Sequence, residues 1–218
     1  MLAVHCGEVA YEEALRWQRL LVAARRDGEI DDVLLTLTHD PVYTAGRHAN
    51  VAEHVLRTTD IRVVPIDRGG DVTYHGPGQL VAYPITELAH AKAVRPYVEA
   101  LEEACIRTAA SFGLDATADR ERTGVWVGTA KLAAIGVRID GRVTSHGLAF
   151  NVDPDLNHFT GIVPCGISDR GVTSLAALGV ETSVLEVRRR LVSALGTALD
   201  KPIHQASPAD IGLTAAPA

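Results

Sequence analysis

The central part of the chain carries three strand-like segments in a row, with no helical segment between them. They cover residues 125–127, 132–139 and 143–151, and Asp140-Gly141 between the last two is a strong signal for a two-residue hairpin turn. Helical patterns occur only before and after this region. A chain in which strands pair locally and helices stand apart, instead of alternating strictly strand by helix, predicts an α+β domain.

Three amphipathic helices and four further strands are expected around the central strands. The first helix covers residues 9–26, where apolar residues recur every three or four positions. Pro96 lies in the first turn of the second helix, and Ser183 with Glu186 forms a capping box that opens the third. The remaining strands are expected at residues 33–38, 61–66, 72–74 and 80–85.

Composition places the chain among ordinary globular proteins. Its 218 residues are 47% hydrophobic and 22% charged, enough for a sizeable core, and three cysteines are too few for a disulfide scaffold. The net charge of −6 argues against a general nucleic-acid binder. No apolar run is long enough to span a membrane, and the N-terminus lacks the pattern of a secretory signal. We therefore expect a cytoplasmic protein with free thiols, one domain over residues 1–206 and a disordered Ala- and Pro-rich tail over residues 207–218.

A glycine-rich segment, RGGDVTYHGPGQ at residues 68–79, is the first candidate for a functional loop. Its four glycines allow the backbone to approach a ligand and to present N–H groups to it. Glycine content alone slightly favours the alternative of an ordinary tight hairpin turn. The segment is neither a phosphate-binding Walker loop, since no GK[ST] follows, nor a dinucleotide fingerprint, since no helix follows.

Lys131 and Cys165 are the two reactive side chains with an unusual context. Lys131 lies in the apolar strand segment KLAAIG; it is either a solvent-facing residue of an edge strand, the commoner case, or a partly desolvated amine with a lowered pKa. Cys165 lies between Pro164 and Gly166, and this context favours a nucleophilic cysteine and a buried core cysteine about equally. Cys6 and Cys105 are expected to be structural. The cysteines are widely spaced, so nothing favours a metal site, although spacing alone does not exclude one from Cys165, His75 and His146.

Several blocks together resemble the lipoyl(octanoyl) transferases closely. RGGDVTYHGPGQLVAYPI at 68–85 is similar to the signature loop and strand of that family. PVYTAGRHA at 41–49, KLAAIGVRI at 131–139, SHGLAFNVDPDL at 145–156 and FTGIVPCGISDRGVTSL at 159–175 match further blocks of the family in the same order.

The resemblance implies the fold of biotin and lipoate protein ligases, a mixed sheet with flanking helices. It implies transfer of an octanoyl group from acyl carrier protein to a lysine of a lipoyl domain, in E2 subunits of 2-oxoacid dehydrogenases or in glycine cleavage H protein. No cofactor, metal, nucleic acid or membrane is implied. Cys165 becomes the thioester nucleophile and Lys131 its partner. The implied substrate-binding residues are Arg68, Gly69, Gly70, Asp71, Val72, Thr73, Tyr74, His75, Ala134, Ile135, Gly136, Gly147, Leu148 and Ala149.

Two departures from the family pattern, Asp71 and Phe150, are expected to matter little, except that Phe150 is placed to reshape the acyl pocket. Amides of Gly69-Gly70 and Cys165-Gly166 are expected to form the oxyanion site. A cationic rim for acidic carrier proteins is expected to use Arg47, His48, Arg68, Arg138 and Arg142. Three alternatives remain: an ATP-dependent lipoate or biotin ligase, a cysteine-dependent thioesterase, and a catalytically silent module that holds an acylated carrier.

Overall fold

The computed structural model describes residues 1–56, 60–90, 93–162 and 171–213. Its helices are α1 (Tyr11–Arg26), the short α2 (Val51–His54), α3 (Val94–Ala110) and α4 (Val184–Ala198). The strands are β1 (Leu2–Glu8), β2 (Val33–Thr38), β3 (Val42–Ala45), β4 (Val63–Pro65), β5 (Val72–His75), β6 (Gln79–Ile85), β7 (Thr117–Ala118), β8 (Val125–Val127), β9 (Ala130–Asp140), β10 (Val143–Asn151) and β11 (His204–Ala206).

Eight of these strands form one mixed sheet in the order β11-β1-β2-β6-β10-β9-β8-β7. β1 runs parallel to both of its neighbours, and every other pair in this sheet is antiparallel. The other three strands form a small sheet in the order β4-β3-β5. The predictions of an α+β fold and of a mixed sheet with flanking helices are confirmed.

Both faces of the large sheet are covered, so its central strands are apolar on both sides. In β6, Leu80 and Ala82 face the core beneath α3 and α4, whereas Val81 and Tyr83 face the core beneath α1. This alternation follows from the two-residue period of a strand. It explains why β2 and β6 read as continuous apolar runs in the sequence.

The β9–β10 hairpin differs by one residue from its prediction. Asp140 pairs with Val143 and closes the ladder, so the two loop residues are Gly141 and Arg142. Gly141 has φ of 63°, a conformation that glycine adopts without steric cost at the first loop position. The strong turn signal was therefore correct, but Asp140 belongs to the strand.

The C-terminal residues pack more than their composition predicts. Ser207 and Asp210 form a capping box on a 3₁₀ turn at Pro208–Ile211, and Ile211 and Leu213 are buried in the core beneath α1. Residues 207–213 are thus ordered by apolar contacts, in contrast to the predicted disorder, while residues 214–218 lie outside the described residues. None of the helices in the described ranges is both long and apolar enough to cross a membrane.

Candidate active site

A cavity lies where the large sheet, the small sheet and the start of α1 meet. Among the described residues, apolar groups make up most of the cavity surface, although half of the lining side chains carry a polar group. The lining residues are Tyr11, Arg68, Gly70, Asp71, Val72, Thr73, His75, Gln79, Tyr83, Lys131, Ala134, Ile135, Gly136, His146, Gly147, Leu148, Ala149, Asn151, Phe159 and Val172.

Arg68 anchors the glycine-rich loop between the two sheets. Its side chain is buried and donates from one terminal nitrogen to the carbonyl and to the hydroxyl oxygen of Thr44, each at 2.9 Å. The other terminal nitrogen donates to Gly69 O at 2.9 Å. On the opposite side, the Gly69 N–H donates to Val137 O of β9 at 3.0 Å. The loop is thus fixed to β3 through Arg68 and to β9 through its own backbone.

The glycine-rich loop packs against two glycines that lie outside it, where any side chain would clash with the loop. A Cβ at Gly46 would lie 2.4 Å from Gly70 O, and a Cβ at Gly136 would lie 2.9 Å from Arg68 Cδ and 3.2 Å from Gly69 O. All three distances are shorter than normal van der Waals contact. Glycine is therefore needed at Gly46 and Gly136 because the loop passes directly over them.

Lys131 lies on an interior strand and reaches into the cavity. β8 pairs on the other side of β9, and Lys131 is only 7% exposed, so the expectation of a solvent-facing edge lysine is wrong. Its Nζ lies 3.4 Å from Thr123 O and 4.7 Å from the centroid of the Trp126 ring. The carbonyl dipole and the aromatic face both stabilise an ammonium group at this position.

Polar side chains join the loop to β10 and to the segment after residue 170. Gln79 donates to Asn151 Oδ1 at 2.9 Å, and Asn151 donates to Thr173 O at 2.9 Å. The Thr173 N–H in turn donates to Lys131 O at 3.0 Å, and the Lys131 N–H donates to Gly171 O at 2.9 Å. Three blocks that are distant in sequence are therefore connected by continuous hydrogen bonds next to Lys131.

The two histidines of the cavity wall are neutral. Burial, with smaller contributions from the charges of His39 and Arg68, holds the pKa of His75 well below its ordinary value. Burial, together with Arg68 and Arg138, lowers the pKa of His146 to about 3. The wall therefore carries the cations Arg68 and Lys131 and the carboxylate of Asp71, and its imidazoles add no positive charge at neutral pH.

The structure brings most of the sequence-predicted site residues to this one cavity. Two described members of the set do not line it: Gly69, and Tyr74, which is buried in the small-sheet core with its hydroxyl 2.7 Å from His158 Nδ1. The Gly69 N–H already donates to β9, so it is not available as an oxyanion donor. Cys165 and Gly166 lie outside the described residues.

Two other expectations are corrected, the second only in part. Phe150 is fully buried in the core beneath α3 and α4 and is not among the residues that line the cavity. In the expected cationic rim, Arg68 is buried, whereas Arg47, His48 and Arg142 are exposed; Arg138 pairs with Asp67 and Arg142 with Glu87. Within the described ranges, no cluster of three His, Cys, Asp or Glu side chains is arranged to hold a metal ion.

Several lining residues were not among the predicted substrate-binding residues. Gln79, His146 and Asn151 lie inside the blocks that carry the family resemblance, so their position there was an available signal. Tyr11 lies outside these blocks, and both Tyr11 and Tyr83 look like core residues of their elements. Their hydroxyl-bearing rings reach the cavity only because the first turn of α1 lies over β6.

Comparisons with known proteins agree with this fold. Residues 10–196 match the family described as the lipoyl protein ligase A/B catalytic domain. The octanoyltransferase of Chloroflexus aggregans is 48% identical over 215 residues, with 93% of this chain and 97% of that protein covered. The crystal structure of lipoate-protein ligase A bound with ATP superposes with a TM-score of 0.75 at 17% identity, covering 95% of this chain and 89% of that one.

A bipartite lipoate protein ligase from Thermoplasma acidophilum, described with its E2 lipoyl domain, superposes with a TM-score of 0.72 at 16% identity. The alignment covers 94% of this chain and 86% of that one. These two structures support the fold, and the family match and the close relative support the assignment of the chain. This chain belongs to the lipoyl protein ligase A/B catalytic domain family and, within it, to the octanoyltransferases.

Proposed function

We propose that this octanoyltransferase moves an octanoyl group from octanoyl-acyl carrier protein to a lysine of lipoyl domains, through a thioester on Cys165. The observation that carries the proposal is a buried lysine, Lys131, opening into a largely apolar cavity beneath a glycine-rich loop. We place the reaction in the cytoplasm and in one catalytic domain, predicted over residues 1–206 and extended here to residue 213 by the packing of Ile211 and Leu213, without a cofactor.

The first half of the reaction forms the acyl-enzyme. The Cys165 thiolate attacks the thioester carbonyl of the donor, the bond to the pantetheine sulfur breaks, and the Lys131 ammonium gives a proton to the leaving thiolate. A nearby ammonium favours the thiolate over the thiol, whose free pKa is about 8.5. Exchange of one thioester for another is close to isoenergetic, so no nucleotide is needed to drive it.

The second half transfers the acyl group to the acceptor. Neutral Lys131 takes a proton from the acceptor lysine, whose free pKa of about 10.4 keeps it protonated and unreactive in water. The amine then attacks the Cys165 thioester, an amide forms as the thiolate leaves, and the second proton of the attacking nitrogen is released to water. Lys131 ends the cycle as an ammonium group, as it began, and the step from thioester to amide is downhill.

Chain connectivity supports the pairing of Cys165 with Lys131. Gly171, six residues after Cys165, accepts the backbone hydrogen bond of Lys131, and Phe159, six residues before Cys165, lines the cavity. The described chain on both sides of the nucleophile block therefore reaches the cavity that Lys131 lines.

Apolar lining supports a fatty acyl substrate. The octanoyl tail has seven carbons beyond the carbonyl, and burial contributes about 0.8 kcal/mol for each CH₂ group, or about 5–6 kcal/mol in total. Val72, Ala134 and Leu148 are among the residues that provide such a surface. This gain is large enough to select octanoyl over acetyl.

The proposed acceptors are lipoyl domains of 2-oxoacid dehydrogenase E2 subunits and glycine cleavage H protein. The bipartite ligase of Thermoplasma acidophilum, which shares the fold, is described together with an E2 lipoyl domain. An ATP-dependent ligase is the second candidate function, because the solved structures with this fold include a lipoate-protein ligase bound with ATP. A cysteine-dependent thioesterase is the third.

Intact-mass spectrometry distinguishes these functions. The protein is mixed with octanoyl-acyl carrier protein, and wild type is compared with Cys165→Ser, Lys131→Ala and the matched control Cys105→Ala. Cys105 is buried on α3 among apolar residues, and burial raises the pKa of its thiol, so it is not expected to react.

We expect a hydroxylamine-labile octanoyl adduct in wild type and in Cys105→Ala, none in Cys165→Ser, and slow formation in Lys131→Ala. Turnover that requires ATP and free octanoate, with no adduct, would contradict the proposed transferase and support an ATP-dependent ligase. An adduct that releases free octanoate equally fast with and without a lipoyl domain would likewise contradict the transferase and support the thioesterase.

A further inference from the structure

Glu102 is a buried acidic side chain that the proposed mechanism does not use. It lies in the middle of α3 and is 5% exposed, and its Oε1 accepts a hydrogen bond at 3.1 Å from the N–H of Gly124, in the turn before β8. Burial raises the pKa of Glu102, and the hydrogen bond from Gly124 opposes this rise. A carboxyl group loses its hydration when it is buried, so it is tolerated where a donor compensates for the loss. The role of Glu102 therefore depends on the backbone group that it holds.

One peptide group connects Glu102 to Lys131. The carbonyl of Thr123 and the N–H of Gly124 belong to the same planar peptide unit, which is trans, so the two groups point in opposite directions. Glu102 accepts from the N–H end, and Lys131 Nζ donates to the carbonyl end at 3.4 Å. A single rigid plane thus joins the buried carboxyl group to the lysine amine, and a rotation of this plane at one end moves the acceptor at the other.

The stem of Lys131 packs against the same turn. Gly124 has φ of 133°, a conformation that glycine adopts without steric cost, and a Cβ there would lie 3.2 Å from Lys131 Cε and 3.5 Å from its Cδ. The glycine therefore lets the turn lie directly on the lysine stem. Trp126, whose indole N–H donates to Arg122 O at 3.2 Å, places its ring 4.7 Å from Nζ. Residues 122–126 thus contact both the stem and the amine of the lysine.

We propose that Glu102 is a positioning residue for Lys131: it fixes the plane of the Thr123–Gly124 peptide, and the Thr123 carbonyl orients the lysine amine. The inference rests on the acyl transfer proposed above, in which Lys131 gives a proton to the leaving thiolate. Glu102 is not among the described residues that line the cavity, so it acts through the lysine and not on a substrate. A hydrogen bond from the peptide N–H to an acidic oxygen also polarises the peptide carbonyl and strengthens it as an acceptor for the amine.

The test is a double-mutant cycle between Glu102 and Lys131. Glu102→Leu removes the acceptor and keeps a similar volume, and it is made in wild type and in Lys131→Ala. Glu102→Gln is the conservative variant, because its amide oxygen can accept the same N–H from a side chain of the same length. Thr108→Val is the matched control, since it removes a buried hydrogen bond of α3 that ends inside the helix, at Ala104 O. Each protein is mixed with saturating octanoyl-acyl carrier protein, and the rate of octanoyl adduct formation is followed by intact-mass spectrometry.

We expect Glu102→Leu to lower the rate of adduct formation at least about fivefold in wild type, because a misplaced proton donor transfers its proton slowly. In Lys131→Ala, which has no amine to position, the same substitution should change the rate by less than about twofold. Glu102→Gln should retain most of the wild-type rate, and Thr108→Val should react as wild type does. The KM for the donor should stay within about twofold of wild type in Glu102→Leu, because Glu102 lies outside the cavity lining.

The outcomes separate this inference from the proposed function. Adduct formation by wild type, with an unchanged rate in Glu102→Leu or an equal loss in both backgrounds, would overturn the positioning role and leave the proposed function intact. A rate in Glu102→Gln as low as that in Glu102→Leu would also overturn it. Absence of a Cys165 adduct in wild type would overturn the proposed function itself, and the inference with it. If Glu102→Leu does not fold, Glu102→Asp takes its place in both backgrounds, because its carboxylate is one CH₂ group too short to hold Gly124, and the same comparison decides.

Discussion

Asp32 is the centre of a buried ion cluster on which we expect the stability of the fold to depend. Its carboxylate accepts hydrogen bonds from Arg25 Nε at 2.8 Å, Thr86 Oγ1 at 2.7 Å and the Glu87 N–H at 3.1 Å, and also from Lys201. Burial by itself raises the pKa of Asp32, but these donors outweigh it and lower the pKa to about 2. The cluster joins α1, the start of β2, the end of β6 and the C-terminal region.

The size of the effect follows from this pKa. A fall from the ordinary value of 3.8 to about 2 corresponds to about 2 kcal/mol of stabilisation when the carboxylate is ionised. Because the folded-state pKa is the lower one, this stabilisation is fully present above the unfolded-state pKa. It is lost as the pH falls through the folded-state value, with about half remaining at pH 3.

Asp32→Asn keeps the shape of the side chain and removes its charge. We expect its free energy of unfolding in urea, followed by tryptophan fluorescence, to be about 2 kcal/mol below wild type at pH 7. The difference should be nearly the same at pH 5 and about half as large at pH 3. The neighbouring Asp31→Asn is the control, because Asp31 is exposed and its loss should change the free energy by less than about 0.5 kcal/mol. A difference between Asp32→Asn and wild type that is constant from pH 7 to pH 3 would refute the electrostatic explanation.

Three further substitutions test how the cavity is built. Arg68→Lys keeps the charge but not the geometry of the bonds to Thr44, so we expect about 1–3 kcal/mol lower stability in urea and a higher KM for the donor; wild-type values for both would contradict this. Gly136→Ala places a Cβ 2.9 Å from Arg68 Cδ, and we expect about 1–3 kcal/mol of destabilisation with a lower kcat/KM. Unchanged kinetics would show that the loop does not need this close approach. Asn151→Leu leaves a buried carbonyl at Thr173 without its donor, which should cost about 1–3 kcal/mol and lower the Tm; an unchanged Tm would show that this bond is dispensable.

Local patterns were sufficient to predict most long elements of the fold. β2, β8 and β10 have the predicted bounds, and α1 and α4 begin within two residues of their signals. These elements carry their own periodicity or caps, so tertiary contacts do not alter them. The strand β1 and the short strands β3, β7 and β11 were not predicted. β3 lies in a stretch dominated by turn residues, and it is a strand because β4 and β5 pair with it on both sides.

The direction of side chains could not be predicted where both sides of an element are buried. Phe150 and Ala149 are neighbours in an unbroken apolar run, so the two-residue period does not tell which of them faces the cavity. Arg68 illustrates the same limit for a charge. Its sequence context is that of an exposed arginine, and only the approach of Thr44, 24 residues earlier, provides buried acceptors. Asp32 and Lys201 are 169 residues apart in sequence, and no local sequence pattern indicates that they pair.

The hydrogen-bond connections explain why the blocks of this site depend on one another. The Lys131 N–H donates to the carbonyl of Gly171, and the Lys131 carbonyl accepts from the Thr173 N–H. The Thr173 carbonyl in turn accepts from the side-chain amide of Asn151. A change at Asn151 therefore reaches the lysine through two hydrogen bonds, without any contact with a substrate. The proton transfer proposed for Lys131 requires that it keep its position to within a fraction of an ångström, so the residues that fix this backbone should affect catalysis as strongly as many residues that line the cavity.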